Sequence, residues 1–97
     1  MVTYIALVNF TDQGIRTVKD TTKRAEGVRE MARTFGVEAK EFYWTLGSHD
    51  LVVIFEAPDD TAMTAVGLTI GQAGNVRTQT LRAFSKAEMD GILSKLA

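Results

Sequence analysis

The sequence contains no cysteine, and it has only one histidine in 97 residues. Without cysteine the chain forms no disulfide and no zinc–thiolate site. A single histidine also falls short of the three or four ligands that an ordinary zinc site needs. We therefore expect no metal centre and no cofactor. The carboxylates of Asp12, Asp50, Asp59 and Asp60 leave a site for a hard cation as an open alternative.

Neither charge sign dominates the chain, and no apolar run is long. Eleven Lys and Arg residues against twelve Asp and Glu give a net charge of −1, whereas a nucleic-acid binder carries a basic patch. No stretch approaches the ~20 apolar residues of a membrane helix. The start of the chain, MVTYIALVNF, lacks the basic residues and cleavage site of a signal peptide. We expect a cytoplasmic protein of one domain, residues 1–97, that binds neither nucleic acid nor membrane.

The hydrophobic pattern predicts four strands and three main helices. The strands are expected at residues 4–10, 38–46, 51–57 and 76–84. A first helix begins near Asp20 and ends at Gly36, with an apolar stripe of Ala25, Val28, Met31, Ala32 and Phe35. A second begins at Asp59 or Asp60, with a stripe of Ala62, Ala65, Val66, Leu68 and Thr69, and Ser85 begins a third. Their order predicts an α+β, ferredoxin-like βαββαβ fold with a C-terminal helix and a four-stranded antiparallel sheet.

The inner strands are apolar on both faces. In the first strand Tyr4, Ala6 and Val8 alternate with Ile5 and Leu7, and residues 51–55 are likewise apolar throughout. Helices of one chain cover only one face of such a sheet, so a second copy is expected to pack against the other. A few polar residues in that interface leave two alternatives, a packed dimer core or a pocket for a small ligand.

The stretch FYWTLGSHDLVVIFEAP, residues 42–58, contains the first candidate site. Gly47–Asp50 separates two strands and is predicted to be a hairpin turn. His49 carries the side chain type that changes charge near neutral pH, and Asp50 follows it directly. They are the catalytic candidates, although neighbouring residues on a strand point to opposite faces. The alternative is a turn histidine beside an aspartate that binds backbone amides.

Two further pairs of residues complete the candidate set. Tyr43 and Arg82 are expected to face the space between two sheets, where an arginine can hold a carboxylate with two hydrogen bonds. The alternative for Arg82 is an ion pair with Glu41 or Glu56. Asn9 and Trp44 are weaker candidates beside His49, because the same residues also fit a strand end and a core position. The predicted ligand-binding set is thus Tyr43, His49, Asp50 and Arg82.

Three stretches, YIALVNFTDQGIRTVKD, EFYWTLGSHDLVVIFEAPDD and GNVRTQTLRAFS, resemble the GYD-domain family of small bacterial and archaeal proteins. The resemblance implies a dimeric α+β barrel, in which two ferredoxin-like subunits join their sheets. The Gly, Tyr and Asp that name the family match Gly47, His49 and Asp50, so a histidine stands where the family has tyrosine. The family has no established activity to transfer.

Three functions fit these observations. The first is a homo-oligomeric protein that binds a small ligand in the cleft between two sheets. The second is a cofactor-independent monooxygenase or isomerase of a small aromatic or carbonyl compound, a reaction type that the resemblance to dimeric α+β barrels suggests. It would use His49 for proton transfer, helped by Asn9 or Trp44. The third is a structural or regulatory oligomer without catalysis.

Overall fold

The computed structural model describes residues 1–97 and confirms the predicted order of elements. Four strands, β1 (Val2–Phe10), β2 (Glu38–Trp44), β3 (Leu51–Ala57) and β4 (Val76–Ala83), form one antiparallel sheet in the order β2-β3-β1-β4. The helices are α1 (Asp12–Arg16), α2 (Thr21–Thr34), α3 (Asp60–Gln72) and α4 (Lys86–Leu93), with a 3-10 turn at Val18–Asp20. This is a ferredoxin-like α+β fold with an added C-terminal helix.

The hydrophobic core lies between the sheet and helices α2 and α3. Every second residue of β1 and β3 is buried there: Tyr4, Ala6, Val8, Leu51, Val53, Phe55 and Ala57. Ala32 of α2 and Met63 and Val66 of α3 belong to the same cluster. Because side chains alternate along a strand, these residues define one side of the sheet, which we call the helix face.

The opposite side of the sheet, which we call the open face, is apolar at its centre. It carries Ile5 and Leu7 of β1, Val52 and Ile54 of β3, and Leu81 of β4. Leu81 is exposed, and the other four are only half-buried. The prediction that the chain's own helices cover one face alone is confirmed. Pairing with a second copy stays a prediction.

Side-chain caps fix three of the helix starts. Thr11 caps α1 by accepting from the Gly14 amide, and Asp59 caps α3 by accepting from the Ala62 amide at 2.8 Å. Ser85 and Glu88 form a reciprocal capping box at the start of α4. Without these caps, the backbone amides in the first turn of each helix would lack hydrogen-bond acceptors.

Three predicted details are wrong. Phe35 is not part of the buried stripe of α2, because it lies at the C-cap and is 40% exposed. Leu68 is 69% exposed, and Met63, which the pattern omitted, is buried in its place. The second strand ends at Trp44 rather than at residue 46, and Leu46 is fully exposed in the connection to β3.

Helix α4 extends away from the rest of the chain. Its apolar residues Met89, Ile92 and Leu93 are all more than a third exposed. The radius of gyration is 14.6 Å, above the roughly 12.5 Å expected for a compact chain of this length. No helix in the chain has the length and apolar character required to cross a membrane.

Candidate functional site

The Gly47–Asp50 segment is a tightly bonded connection between β2 and β3. The Thr45 amide donates to the Asp50 carbonyl at 2.9 Å, and the Thr45 hydroxyl donates to the His49 carbonyl at 2.6 Å. The Asp50 amide donates to the Val8 carbonyl at 2.8 Å, which joins the connection to β1. Gly47 has a φ of +108°, a conformation that L side chains rarely adopt. The predicted hairpin connection is confirmed.

His49 is held by Asn9, the last open-face residue of β1. Asn9 Nδ2 donates to the Ser48 carbonyl at 2.8 Å, which fixes the orientation of the amide and turns Oδ1 toward the ring. His49 Nδ1 lies 3.0 Å from that oxygen. An amide oxygen only accepts, so Nδ1 carries a proton in this arrangement. In the neutral ring Nε2 is then left as an acceptor that has no partner within the chain.

Asp50 does not contact the His49 ring. One of its carboxylate oxygens, Oδ2, accepts from the Phe10 amide at 2.8 Å. At this point β1 extends beyond the end of β3, so the Asp50 carboxylate replaces the backbone carbonyl that a neighbouring strand would supply to the Phe10 amide. The partner of the His49 ring is thus Asn9, and Asp50 instead accepts from a backbone amide, the alternative considered for it from the sequence.

Arg82 and Tyr43 lie on opposite faces of the sheet. Tyr43 pairs with Val52 and so lies on the open face, where it is 55% exposed. Arg82 pairs with Tyr4, whose ring is in the core on the helix face. Residues directly opposite across a strand pair share a face. The prediction that both side chains face one intersheet space is wrong, because the register of β4 turns Arg82 to the other side.

The partners of Arg82 come from the C-terminal segment. Its guanidinium lies 3.3 Å from the Glu88 carboxylate and 4.3 Å from the centre of the Phe84 ring, and it donates to the Ala83 carbonyl. The ion pair with Glu41 or Glu56 considered from the sequence is thus replaced by one with Glu88. The Ser85 amide and Arg82 both hold the pKa of Glu88 below its usual range.

Trp44 is also separated from His49. It pairs with Leu51 on the helix face, and its indole Nε1 donates to the Thr21 hydroxyl of α2 at 3.0 Å. The combination of Asn9, Trp44 and His49 is therefore not assembled, since Asn9 and Trp44 lie on different faces. Trp44 connects the end of β2 to the start of α2.

A polar pair that the sequence did not reveal lies on the helix face. The Tyr4 hydroxyl donates to Asp60, the first residue of α3. Burial, followed by this bond to a carboxylate, raises the pKa of Tyr4 to about 12. No local pattern links residues 4 and 60, because the contact depends on where α3 crosses β1.

The acidic residues do not gather into a cation site. Asp50 accepts from Phe10, Asp59 caps α3, and Asp60 accepts from Tyr4. No group of three or more His, Asp or Glu side chains is placed to hold a metal ion. The open alternative of a site built from these carboxylates has no support in the fold.

The two main concave regions lie on the helix face. A cavity of about 300 Å³ lies between α2, α3 and the sheet. A wider groove of about 450 Å³ borders Tyr4, Asp60 and Arg82 beside α3 and β4. Neither is lined by His49 or Tyr43. Of the predicted set, Arg82 alone borders one of these regions, and Tyr43, His49 and Asp50 lie elsewhere.

The GYD-domain family model matches residues 4–93, from β1 to the end of α4. The chain belongs to the GYD-domain family. This GYD-domain chain is 34% identical over 90 residues to the glutamine synthetase and cystathionine beta-lyase binding protein of Thermus thermophilus, a match that covers 92% of this chain and 95% of that protein. No solved structure gives a significant match. The resemblance found in the sequence is thus confirmed at the level of the family.

Proposed function

We propose that this GYD-domain protein is a homo-oligomeric binding protein whose subunits pair through the open faces of their sheets. The observation that carries the proposal is the apolar centre of that face, formed by Ile5, Leu7, Val52, Ile54 and Leu81. No helix of the chain covers it. A contiguous apolar surface on a small domain is typical of an interaction surface.

The charges at the edges of the open face favour a second copy as its partner. Glu41 lies on edge strand β2 and Glu56 on β3, whereas Arg77 lies on β4 at the opposite edge. Two such faces related by a two-fold axis can place β2 of one subunit opposite β4 of the other. Carboxylates and guanidinium groups then meet around an apolar centre, which is the complementarity that a symmetric interface requires.

The relative in Thermus thermophilus supports a binding role. Its name says that it binds two enzymes, glutamine synthetase and cystathionine beta-lyase. We extend this to the present chain as a proposal that it binds another protein, with the corresponding enzymes of its own organism as first candidates. A cytoplasmic location, expected from the sequence, stays part of the proposal.

The more specific hypothesis is a small-ligand site in the cleft between two paired sheets. Only some of the residues predicted for it lie near that cleft. Tyr43 lies on the open face, and His49 adjoins it through Asn9. In a paired sheet these groups would form the rim of the cleft, with His49 Nε2 available as a hydrogen-bonding atom. Arg82 is excluded from this site by its position on the helix face.

Native mass spectrometry and light scattering of two charge-introducing variants test the pairing. Ile54→Arg places a cation at the centre of the open face, while Leu68→Arg introduces the same change at an exposed position of α3. We expect a dimer, or a multiple of it, for the wild type and Leu68→Arg, and a monomer for Ile54→Arg. A monomeric wild type contradicts the proposal, as does an Ile54→Arg dimer.

Binding to a protein partner is measured separately by sedimentation of the purified chain with purified glutamine synthetase and cystathionine beta-lyase from the same organism. An unrelated protein of similar size and charge serves as the control. We expect co-sedimentation with at least one of the two enzymes at micromolar concentration. Co-sedimentation with neither would remove the protein-binding part while leaving the homo-oligomer intact.

A further inference from the structure

The cavity on the helix face has the character of a binding site for an apolar molecule. Its volume is about 300 Å³, and thirteen of its nineteen lining residues are hydrophobic. The sheet contributes Val8, Val53 and Phe55, and the helices contribute Ala25, Val28 and Ile70. It lies on the opposite side of the sheet from the proposed dimer interface, inside a single subunit.

Small side chains explain why the cavity remains open. Ala6 lines its floor and Ala25 its wall, in positions where larger apolar residues would fill the space. Helices α2 and α3 make few contacts with each other, so the gap between them is not closed. The result is an apolar cleft between α2, α3 and the sheet that opens to solvent on one side. Clefts of this kind, with mostly hydrophobic walls, are typical of small-molecule sites.

The charged groups around the cavity indicate a neutral ligand. Arg24 is the one charged residue in its lining, and no carboxylate lines it. The Arg24 guanidinium already donates to the Thr17 carbonyl at 2.9 Å and to the Gly14 carbonyl at 3.1 Å. With a further bond to the Thr17 hydroxyl, three of the five N–H groups of Arg24 are engaged. An acid could pair only with the remaining two, and the apolar lining would strip water from the rest of its carboxylate. A cation would find no carboxylate in the lining, and burying an uncompensated charge is costly.

The volume sets the size of the ligand. An apolar protein cavity of ~150 Å³ is known to stay dry and to bind benzene. The present cavity is about twice that volume, near the lower end of the usual range for ligand pockets. We propose that each subunit binds one neutral apolar small molecule here, of the size of two or three aromatic rings or a medium-length hydrocarbon chain. This site is independent of the pairing of the open faces.

A pair of fluorescent probes tests both the site and the charge of its ligand. N-phenyl-1-naphthylamine is neutral, and 1-anilinonaphthalene-8-sulfonate has a similar ring system with an added sulfonate. We expect saturable binding of one neutral probe per chain and at least tenfold weaker binding of the sulfonate. Tighter binding of the sulfonate would overturn the assignment of a neutral ligand, and no saturable binding of either probe would overturn the site.

Three variants locate the probe. Ala25→Leu adds three carbon atoms at the cavity wall and should weaken binding of the neutral probe at least tenfold. Leu93→Lys removes an exposed apolar residue from α4, and Ile54→Arg opens the proposed interface; both should bind as the wild type does. Loss of binding in Leu93→Lys or Ile54→Arg, with retention in Ala25→Leu, would assign the probe to a surface and contradict the proposal.

A measurement on the wild type covers the case in which Ala25→Leu fails to fold. The methyl groups of Val8, Val53 and Ile70 line the cavity, whereas those of Leu7 and Val52 lie on the open face. In methyl NMR spectra the neutral probe should shift the signals of the cavity methyl groups and leave those of the open-face methyl groups unchanged. Shifts confined to the open-face group would contradict the proposed position.

Discussion

The Tyr4 hydroxyl donates a hydrogen bond to the Asp60 carboxylate, joining two residues 56 positions apart in the sequence. The bond connects the central strand β1 to the first turn of α3. It also places a buried phenol against an anion, which disfavours loss of the phenol proton. The same contact that positions α3 on the sheet therefore makes folding sensitive to alkaline pH.

We expect the stability of the fold to decrease as the pH rises from about 10 toward 12. The folded protein keeps the Tyr4 proton up to a pKa of about 12, whereas the ordinary value is 10.0. Between these values the unfolded chain binds fewer protons than the native protein does, so higher pH favours unfolding. Below pH 10 this contribution is fully present. Urea unfolding at a series of pH values, compared between the wild type and Tyr4→Phe, measures the difference.

Ultraviolet absorbance supplies a direct control for the same residue. The chain has two tyrosines, so Tyr43→Phe leaves Tyr4 as the sole source of phenolate absorbance. In that variant we expect ionisation to be delayed beyond pH 11 while the protein is folded. Appearance of phenolate near pH 10 in the folded variant would contradict the buried Tyr4–Asp60 contact.

His49 and Asp50 are expected to differ in their contributions to stability. Asp50→Ala leaves the Phe10 amide without its 2.8 Å acceptor, and an unsatisfied amide costs about 1–3 kcal/mol. His49→Ala removes one hydrogen bond to an amide that can turn toward water, worth about 1 kcal/mol or less. Chemical denaturation of the two variants should therefore show the larger loss for Asp50→Ala.

The position of the proton on the His49 ring provides a second measurement, which tests the contact of His49 with Asn9. Of the two neutral forms of the ring, the bond from Nδ1 to Asn9 favours the one with its proton on Nδ1, and nitrogen NMR distinguishes the two. Asn9→Ala should shift the population toward the form protonated on Nε2. If His49→Ala and Asp50→Ala lose equal stability, and Asn9→Ala leaves the ring form unchanged, the hydrogen bonds described for the Gly47–Asp50 segment are contradicted.

The fold was largely predictable from the sequence because its signals are local. Residues 51–57 form β3 as the apolar run predicted, α2 ends before Gly36, and Asp59 and Ser85 begin helices as their positions suggested. Each of these features depends on a few neighbouring residues. The family match over residues 4–93 agrees with them.

The candidate site was less predictable because its contacts cross between elements. The sequence placed Asp50 beside His49 without deciding whether they meet, and the partner of His49 is Asn9, 40 residues away. The face occupied by Arg82 depends on the register of β4 against β1, and a shift of one residue would reverse it. The cavity depends on the separation of two helices, for which the sequence has only the indirect signal of alanines at positions 6 and 25.

Two glycines in helices are expected to respond in opposite ways to the same substitution. At Gly14 of α1 an added Cβ would lie 1.9 Å from the Asn75 carbonyl oxygen, in a segment where the Thr11 hydroxyl also donates to the Gly74 carbonyl at 2.6 Å. Gly14→Ala therefore forces α1 away from the loop before β4, and overpacking of this kind costs about 1–3 kcal/mol. At Gly27 of α2 an added Cβ meets nothing within 4 Å.

Gly27→Ala should consequently raise the free energy of unfolding by about 0.5–1 kcal/mol, because alanine loses less backbone entropy in a helix than glycine does. Thermal and urea unfolding of the two variants measure both effects on one scale. A stable Gly14→Ala variant would show that the contact of α1 with Asn75 is looser than the structure describes. A destabilised Gly27→Ala variant would instead show that this face of α2 is covered. Because Gly27 lines the helix-face cavity, the natural candidate to cover it is the apolar molecule proposed there.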